Sequence, residues 1–187
     1  GGSIDGGNDT DTIRMNSGNN TVTIVDTDFE GISGFEALDL RGTGAQSVTL
    51  ATKANKTFDS LAGITITTDA SATSLNLDAT NFTKKITATG TGNDDAITGG
   101  SAADSLTGGA GADSLTGGGG NDTLIADDTD TIDGGDGTDT AQFGSDVSST
   151  NLSNTDLINV ENIVITKASN GTYDFSAQTE SLTITGS

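Results

Sequence analysis

Apolar and polar positions alternate with a period of two through much of the chain: ALDL at 37–40, SVTL at 47–50, ITIT at 64–67, SLNL at 74–77 and KITA at 85–88. This is the pattern of strands buried on one face. The strands recur at regular spacing. Ile64, Leu75, Ile86 and Ile97 lie eleven apart, and Ile163, Tyr173 and Leu182 follow at ten and nine. Short strands recurring this evenly predict one continuous coil of half-turns, a solenoid whose narrow interior needs only one or two aliphatics per strand. Segments 51–62 and 144–157 break the pattern and read as excursions, while Phe29, Phe35, Phe58, Phe82, Phe143 and Phe175 read as plugs for individual turns.

Across residues 90–143 the period tightens to nine, with one row of eight: GTGNDDAIT, GGSAADSLT, GGAGADSLT, GGGGNDTLI, ADDTDTID, GGDGTDTAQF. The sixth place holds Asp95, Asp104, Asp113, Asp122, Asp130 and Asp139, and the eighth holds Ile97, Leu106, Leu115, Leu124, Ile132 and Ala141. Each row therefore predicts a six-residue Gly-rich loop followed by a three-residue strand. A flexible Gly/Ser/Asp linker has no reason to keep acid and aliphatic in register. The stretch contains eleven Asp and no Lys, Arg or Glu, so a cation from outside must neutralise it, and ion binding and folding are expected to be one event. GGAGAD and GGGGND do not form a phosphate cradle, because neither is followed by Lys-Ser/Thr or opens a helical pattern.

These rows resemble the nonapeptide GGxGxDxUx of the repeats-in-toxin (RTX) calcium-binding family. The resemblance implies an all-β fold, a right-handed parallel β-roll or β-solenoid with almost no helix. It also implies Ca²⁺ held between loops two rows apart, a hard ion suited to carboxylates and bare Gly carbonyls. Carried over row by row, the ligand pairs are Asp95 with Asp113, Asp104 with Asp122, Asp113 with Asp130, and Asp122 with Asp139, about four sites in all. Turn glycines Gly90, Gly99, Gly108, Gly111, Gly117, Gly120 and Gly137 accompany them. The family's fourth-place Gly takes a left-handed conformation, which Gly111, Gly120 and Gly137 allow, Asn93 tolerates and Ala102 tolerates poorly. The short row at 126–133 lacks its leading Gly pair, although Asp127 and Asp128 add carboxylates, so an altered or empty site is expected there.

The chain also repeats itself on a larger scale. IDGGNDTDTIRM at 4–15 echoes IDGGDGTDTAQF at 132–143, with Asp11 in the place of Asp139. Ile32, Phe35, Glu36, Leu38 and Leu40 likewise align with Leu157, Val160, Glu161, Ile163 and Ile165. The domain reading is thus 1–15 as the end of a preceding calcium roll, whose partner loop lies upstream, and 16–89 as a Thr-rich β-solenoid. It continues with 90–143 as a calcium-binding roll and 144–187 as solenoid, a second copy of the 16–50 pattern. Glu36 and Glu161 offer two further candidate ligands, but having no local Gly-Asp loop they read as solvated turn acids. The opening GGNDTD and closing SLTITGS lead to the expectation of a longer parent polypeptide.

Composition then limits function. The net charge of −20 makes nucleic acid and bare anionic membrane poor partners, and no apolar run approaches a membrane span. With no His and no Cys, zinc-protease motifs, His-based triads and thiol nucleophiles are absent, and no enzyme activity is expected of this segment. One Tyr and no Trp leave little for stacking sugars, and the Lys84–Lys85 pair reads as a solvated face. The resemblance points to a calcium-dependent structural and assembly module of a secreted bacterial surface protein, of surface-layer or adhesin type, exported by type I secretion. The alternative is an accessory module of a secreted enzyme or toxin. Expected partners are flanking repeats, other copies in a lattice or filament, and anionic surface polysaccharide bridged by Ca²⁺.

Overall fold

Thr, Ile and Val set at alternate positions favour strand, and the Gly- and Asp-rich segments between them force a turn after every few residues. The result, in a computed structural model that describes residues 4–58, 63–144, 157–166 and 183–186, is a parallel solenoid of two facing sheets, with a small third sheet formed by Ile4–Asp5 and Ile32–Ser33. From Ala37–Gly42 to Asn162–Ile165, successive described strands alternate between the two large sheets. One sheet has seven strands and the other nine, and the strand pairings within each are parallel. Helix is confined, among the described residues, to one turn at Ala54–Thr57 and a 3₁₀ turn at Asp26–Phe29. Tyr173, Phe175 and Leu182 lie outside the described residues, as do most of 144–157 and part of 51–62.

The interior consists of stacked columns. In the seven-stranded sheet Leu77, Ile97, Leu115, Ile132 and Leu157 lie one above another. In the nine-stranded sheet Ala88, Leu106, Leu124, Ala141 and Ile163 do the same. All ten are buried. This corrects the eleven-residue spacing: Ile97 stacks on Leu77, not on Leu75, and the partner of Ile86 in the next turn is not an aliphatic.

Leu75 and Ile86 belong to a second column that lies beside the first. The main-chain N–H of Leu75 donates to Asp95 Oδ1, and that of Ile86 to Asp104 Oδ1 at 2.7 Å. The sixth place of each row is therefore the continuation of a position that is aliphatic in the wider turns. Where the chain has two aliphatics per strand, as in Ile64 and Ile66 or Leu75 and Leu77, both are buried. In the nonapeptide rows one of the two has become Asp.

The excursion at 51–58 closes one side of the coil. Asp26 carboxylate oxygens accept the N–H groups of Ala51, Lys53 and Ala54, fixing the start of the short helix. The buried Thr57 hydroxyl lies 2.9 Å from the carbonyl oxygen of Ile32. Phe29 and Phe58 meet edge to face, with ring centroids 5.2 Å apart, a geometry that the quadrupoles of two aromatic rings favour.

Candidate metal centre

All six sixth-place aspartates are buried, none more than 5% exposed. A carboxylate is rarely buried without a partner because loss of water disfavours its charge. Here one partner is supplied by the chain's own repeat. The N–H of Asp95 donates to Asp113 Oδ1 at 2.9 Å, Asp104 to Asp122 Oδ1 at 2.7 Å, Asp113 to Asp130 Oδ1 at 2.8 Å, and Asp122 to Asp139 Oδ1 at 2.7 Å. Each Oδ1 thus accepts the sixth-place N–H of the turn before it.

The second oxygen divides the rows into two classes. Oδ2 of Asp95, Asp104 and Asp130 turns back and accepts an N–H at the start of its own loop, from Thr91, Gly100 and Asp127 respectively. Oδ2 of Asp113, Asp122 and Asp139 is buried and finds no hydrogen-bond partner, and the same is true of Asp11 Oδ2. The backbone accounts for the difference. Rows with an unpartnered Oδ2 have a left-handed second residue: Gly7, Gly109, Gly118 and Gly135, with φ between 94° and 122°. That conformation is open chiefly to glycine, and there the second-place N–H makes no bond to the carboxylate. Gly111, Gly120 and Gly137 are left-handed as well, but Asn93 and Ala102 are not. The rows containing Asn93 and Ala102 take a different loop path, one that closes on its own Asp.

The first-place glycines show where the carboxylates point. A Cβ on Gly90 would run into Gly108 O and Asp95 Oδ2, and one on Gly99 into Gly117 O and Asp104 Oδ2. One on Gly117 would meet Asp122 Oδ2 and Gly134 O. Each such spot gathers a carboxylate oxygen from one loop and a main-chain carbonyl from the loop of the next turn, and no side chain fits there.

Burial raises the carboxyls of Asp104, Asp113, Asp122, Asp130 and Asp139 first, and for all of these but Asp104 neighbouring acids add to it. Asp113 is pushed up to about 7, with Asp130, Asp95 and Asp127 contributing like charge after desolvation. Asp104, Asp122 and Asp130 are each raised to about 6. Asp139 is raised by burial and then by Glu161, Asp133 and Asp136. A row of buried carboxylates, five of them held above their ordinary range and three with an unpartnered oxygen, lined by main-chain carbonyls, has the oxygen-only donor set of a hard cation such as Ca²⁺. Among the described residues no three acidic side chains converge on one point, so main-chain oxygens have to complete each coordination shell.

Two acids take a part that the sequence reading did not give them. Glu36 and Glu161 are not solvated turn acids. Glu36 Oε2 accepts the N–H of Asp11 at 2.9 Å, and Glu161 Oε2 accepts the N–H of Asp139 at 2.7 Å, which is the role that next-turn Asp carboxylates play elsewhere. Asp11 accordingly has a partner downstream within the chain. Asp39 was also missed as a structural acid. It is buried between Arg14 and Arg41, with each Nε 2.8 Å from a carboxylate oxygen. Burial acts to raise the Asp39 carboxyl, yet hydrogen bonds from Arg14 and Arg41 hold it below the usual range. The available signal was a strand-position Asp with one Arg two residues on and another at the matching place of the preceding turn.

Residues 3–22, 89–124 and 126–146 match the model of the RTX calcium-binding nonapeptide repeat, in four copies. No curated protein and no solved structure gave a match to the chain.

Proposed function

From the premise that this chain carries RTX calcium-binding nonapeptide repeats, which bind Ca²⁺ and are typical of proteins exported by type I secretion, we propose that it is a calcium-dependent structural module of a bacterial surface protein, of surface-layer or adhesin type. The observation that carries this reading is the buried acid column of the parallel roll, with its unpartnered Oδ2 atoms at Asp113, Asp122 and Asp139. In it, Asp113 with Asp130 and Asp122 with Asp139 would hold ions together with loop carbonyls. Asp95 with Asp113 and Asp104 with Asp122 would do so as well, and in every pair but Asp122 with Asp139 one carboxylate, that of Asp95, Asp104 or Asp130, would first release its own loop N–H. Bound calcium supplies the positive charge that the roll lacks. The chain's own part is to stack the carboxylates in register and to bring carbonyls against them with glycine turns.

One feature supports a tile over an accessory arm. The roll end and its following turn recur within the chain, so the segment is itself periodic. Like charge keeps acidic copies apart until a divalent ion bridges them to each other or to an anionic polysaccharide. Titration of Ca²⁺ into chelated protein should raise the β signal cooperatively, and sedimentation at millimolar calcium should then show association that chelation reverses. A roll fully ordered in excess chelator, or a strict monomer that binds no cell envelope in either condition, would overturn the proposal.

A further inference from the structure

The acid column in the nine-stranded sheet does not stop at the last nonapeptide Asp. Through the strand registers it runs Asp11, Glu36, Ile64, Ile86, Asp104, Asp122, Asp139, Glu161. At both places where a roll gives way to ordinary solenoid, an Asp is followed in the next turn by a Glu.

The two junctions share a geometry that the nonapeptide does not encode. Asp139 is fully buried, and its Oδ2 has no hydrogen-bond partner; Asp11 Oδ2 is buried and unpartnered too. A Cβ on Gly134 would meet Asn159 O and, at 2.8 Å, Asp139 Oδ2. A Cβ on Gly6 would meet Gly34 O and, at 3.0 Å, Asp11 Oδ2. This is the same pairing of carbonyl and carboxylate found beside Gly90, Gly99 and Gly117, but it is reached by another loop. In the roll the carbonyl comes from a glycine five places before the next Asp. At the junctions it comes from a left-handed residue only two places before the Glu: Asn159 with φ 51° and Gly34 with φ 71°.

Asn159 is the one non-glycine residue with positive φ among those described, a conformation that most side chains avoid. Its amide donates to Asp133 Oδ1 at 2.9 Å, which pins the turn. At the other junction Ser33 Oγ lies 3.3 Å from Oδ1 of Asp5, the residue that corresponds to Asp133. A glycine and a strained asparagine thus deliver a carbonyl to the same spot in two copies, beside an Asp oxygen that nothing else satisfies.

We propose that these junctions are closing sites for a divalent cation of the Ca²⁺ class, formed by Asp139 with Glu161 and the Asn159 carbonyl, and by Asp11 with Glu36 and the Gly34 carbonyl. Glutamate has one more methylene than aspartate, which suits a ligand that reaches back from a wider turn. The proposal rests on the calcium-module reading and extends it to residues outside the nonapeptide rows.

Equilibrium dialysis with Ca²⁺ on the full chain tests it. Glu161→Gln keeps an oxygen to accept the Asp139 N–H and removes only the charge, and Glu36→Gln does the same at the other copy. Each is expected to weaken its site at least tenfold, so that one ion fewer is bound per chain at calcium that just saturates the unaltered protein, and two fewer in the double variant. Asp136→Asn, which removes an exposed carboxylate from the same roll, is the charge control. If both Glu variants bind as many ions, as tightly, as Asp136→Asn, the closing sites are refuted while the calcium module stands. If the unaltered chain binds no Ca²⁺, the module itself fails. Should either variant misfold by circular dichroism, the ion count of the variant at the other junction decides between the two outcomes.

Discussion

Asp113→Asn should change stability in opposite directions with and without calcium. Asp113 Oδ1 accepts the N–H of Asp95 at 2.9 Å, and asparagine keeps that oxygen. What changes is Oδ2, buried and unpartnered. In the ion-free fold the carboxyl is raised from 3.8 to about 7, so its ionisation opposes folding at pH 8 by on the order of 4 kcal/mol. Removing the charge recovers that, less about 1–3 kcal/mol for an amide buried without a partner. The net effect in chelator is a gain of about 1–3 kcal/mol. With calcium present the balance reverses, because Asp113 belongs to two of the proposed sites. A site filled at a hundredfold excess over its dissociation constant contributes about 2.7 kcal/mol, so weakening both removes up to about 5 kcal/mol. Circular dichroism at pH 8 measures both arms: urea unfolding in saturating calcium, and β signal in chelator with sucrose added to poise the equilibrium. A variant destabilised in chelator, or one no weaker in calcium than Asp136→Asn, would refute the reasoning.

Two further expectations follow from the same geometry. In chelator, acidification from pH 8 to 5 should increase β signal. The folded-state values of about 6 for Asp104, Asp122 and Asp130 and about 7 for Asp113 lie above the ordinary 3.8, so their contribution is fully present below about pH 4 and lost as pH rises through 6 to 7. A flat or falling signal over that interval contradicts it. Gly117→Ala should shift the calcium midpoint of folding at least tenfold upward, since its Cβ would enter the spot between Asp122 Oδ2 and Gly134 O. Gly119→Ala, whose Cβ meets only Ser101 Cα at 3.7 Å, should leave the midpoint within a factor of two. Equal shifts would show that the spot beside Gly117 has no special role.

The nonapeptide register was legible because it is written twice, by acid at the sixth place and aliphatic at the eighth, and a buried column two residues from another has only one reading. The parallel all-β architecture followed from it. Other features left no such mark. Leu75 and Leu77 are the same residue type at alternate positions, so sequence could not say which of them lies under Ile97. That Leu75 and Ile86 share a column with Asp95 and Asp104 was hidden by chemistry, since an aliphatic and a carboxylate look like opposites until the same N–H position is seen facing both. The division of loops into two classes depends on backbone rotation. Gly100 is a second-place glycine like Gly109, yet it is not left-handed and its N–H closes on Asp104. Glu36 and Glu161 read as solvated acids because their partners, Asp11 and Asp139, sit a full turn away, and the turn lengths at the junctions differ from those in the roll.

The column from Asp11 to Glu161 also has a mechanical meaning. Adjacent strands lie about 4.8 Å apart, so the six steps from Asp11 to Asp139 span roughly 29 Å along the axis. Within that length the turns holding Ile64 and Ile86 are held by apolar packing, and those holding aspartate would be held by the proposed ions. A filament of such units would be a rod with joints at a fixed pitch, rigid in calcium-rich water and slack at every acidic segment when the ion is withdrawn. Its stiffness would then be set by the composition of the surrounding medium.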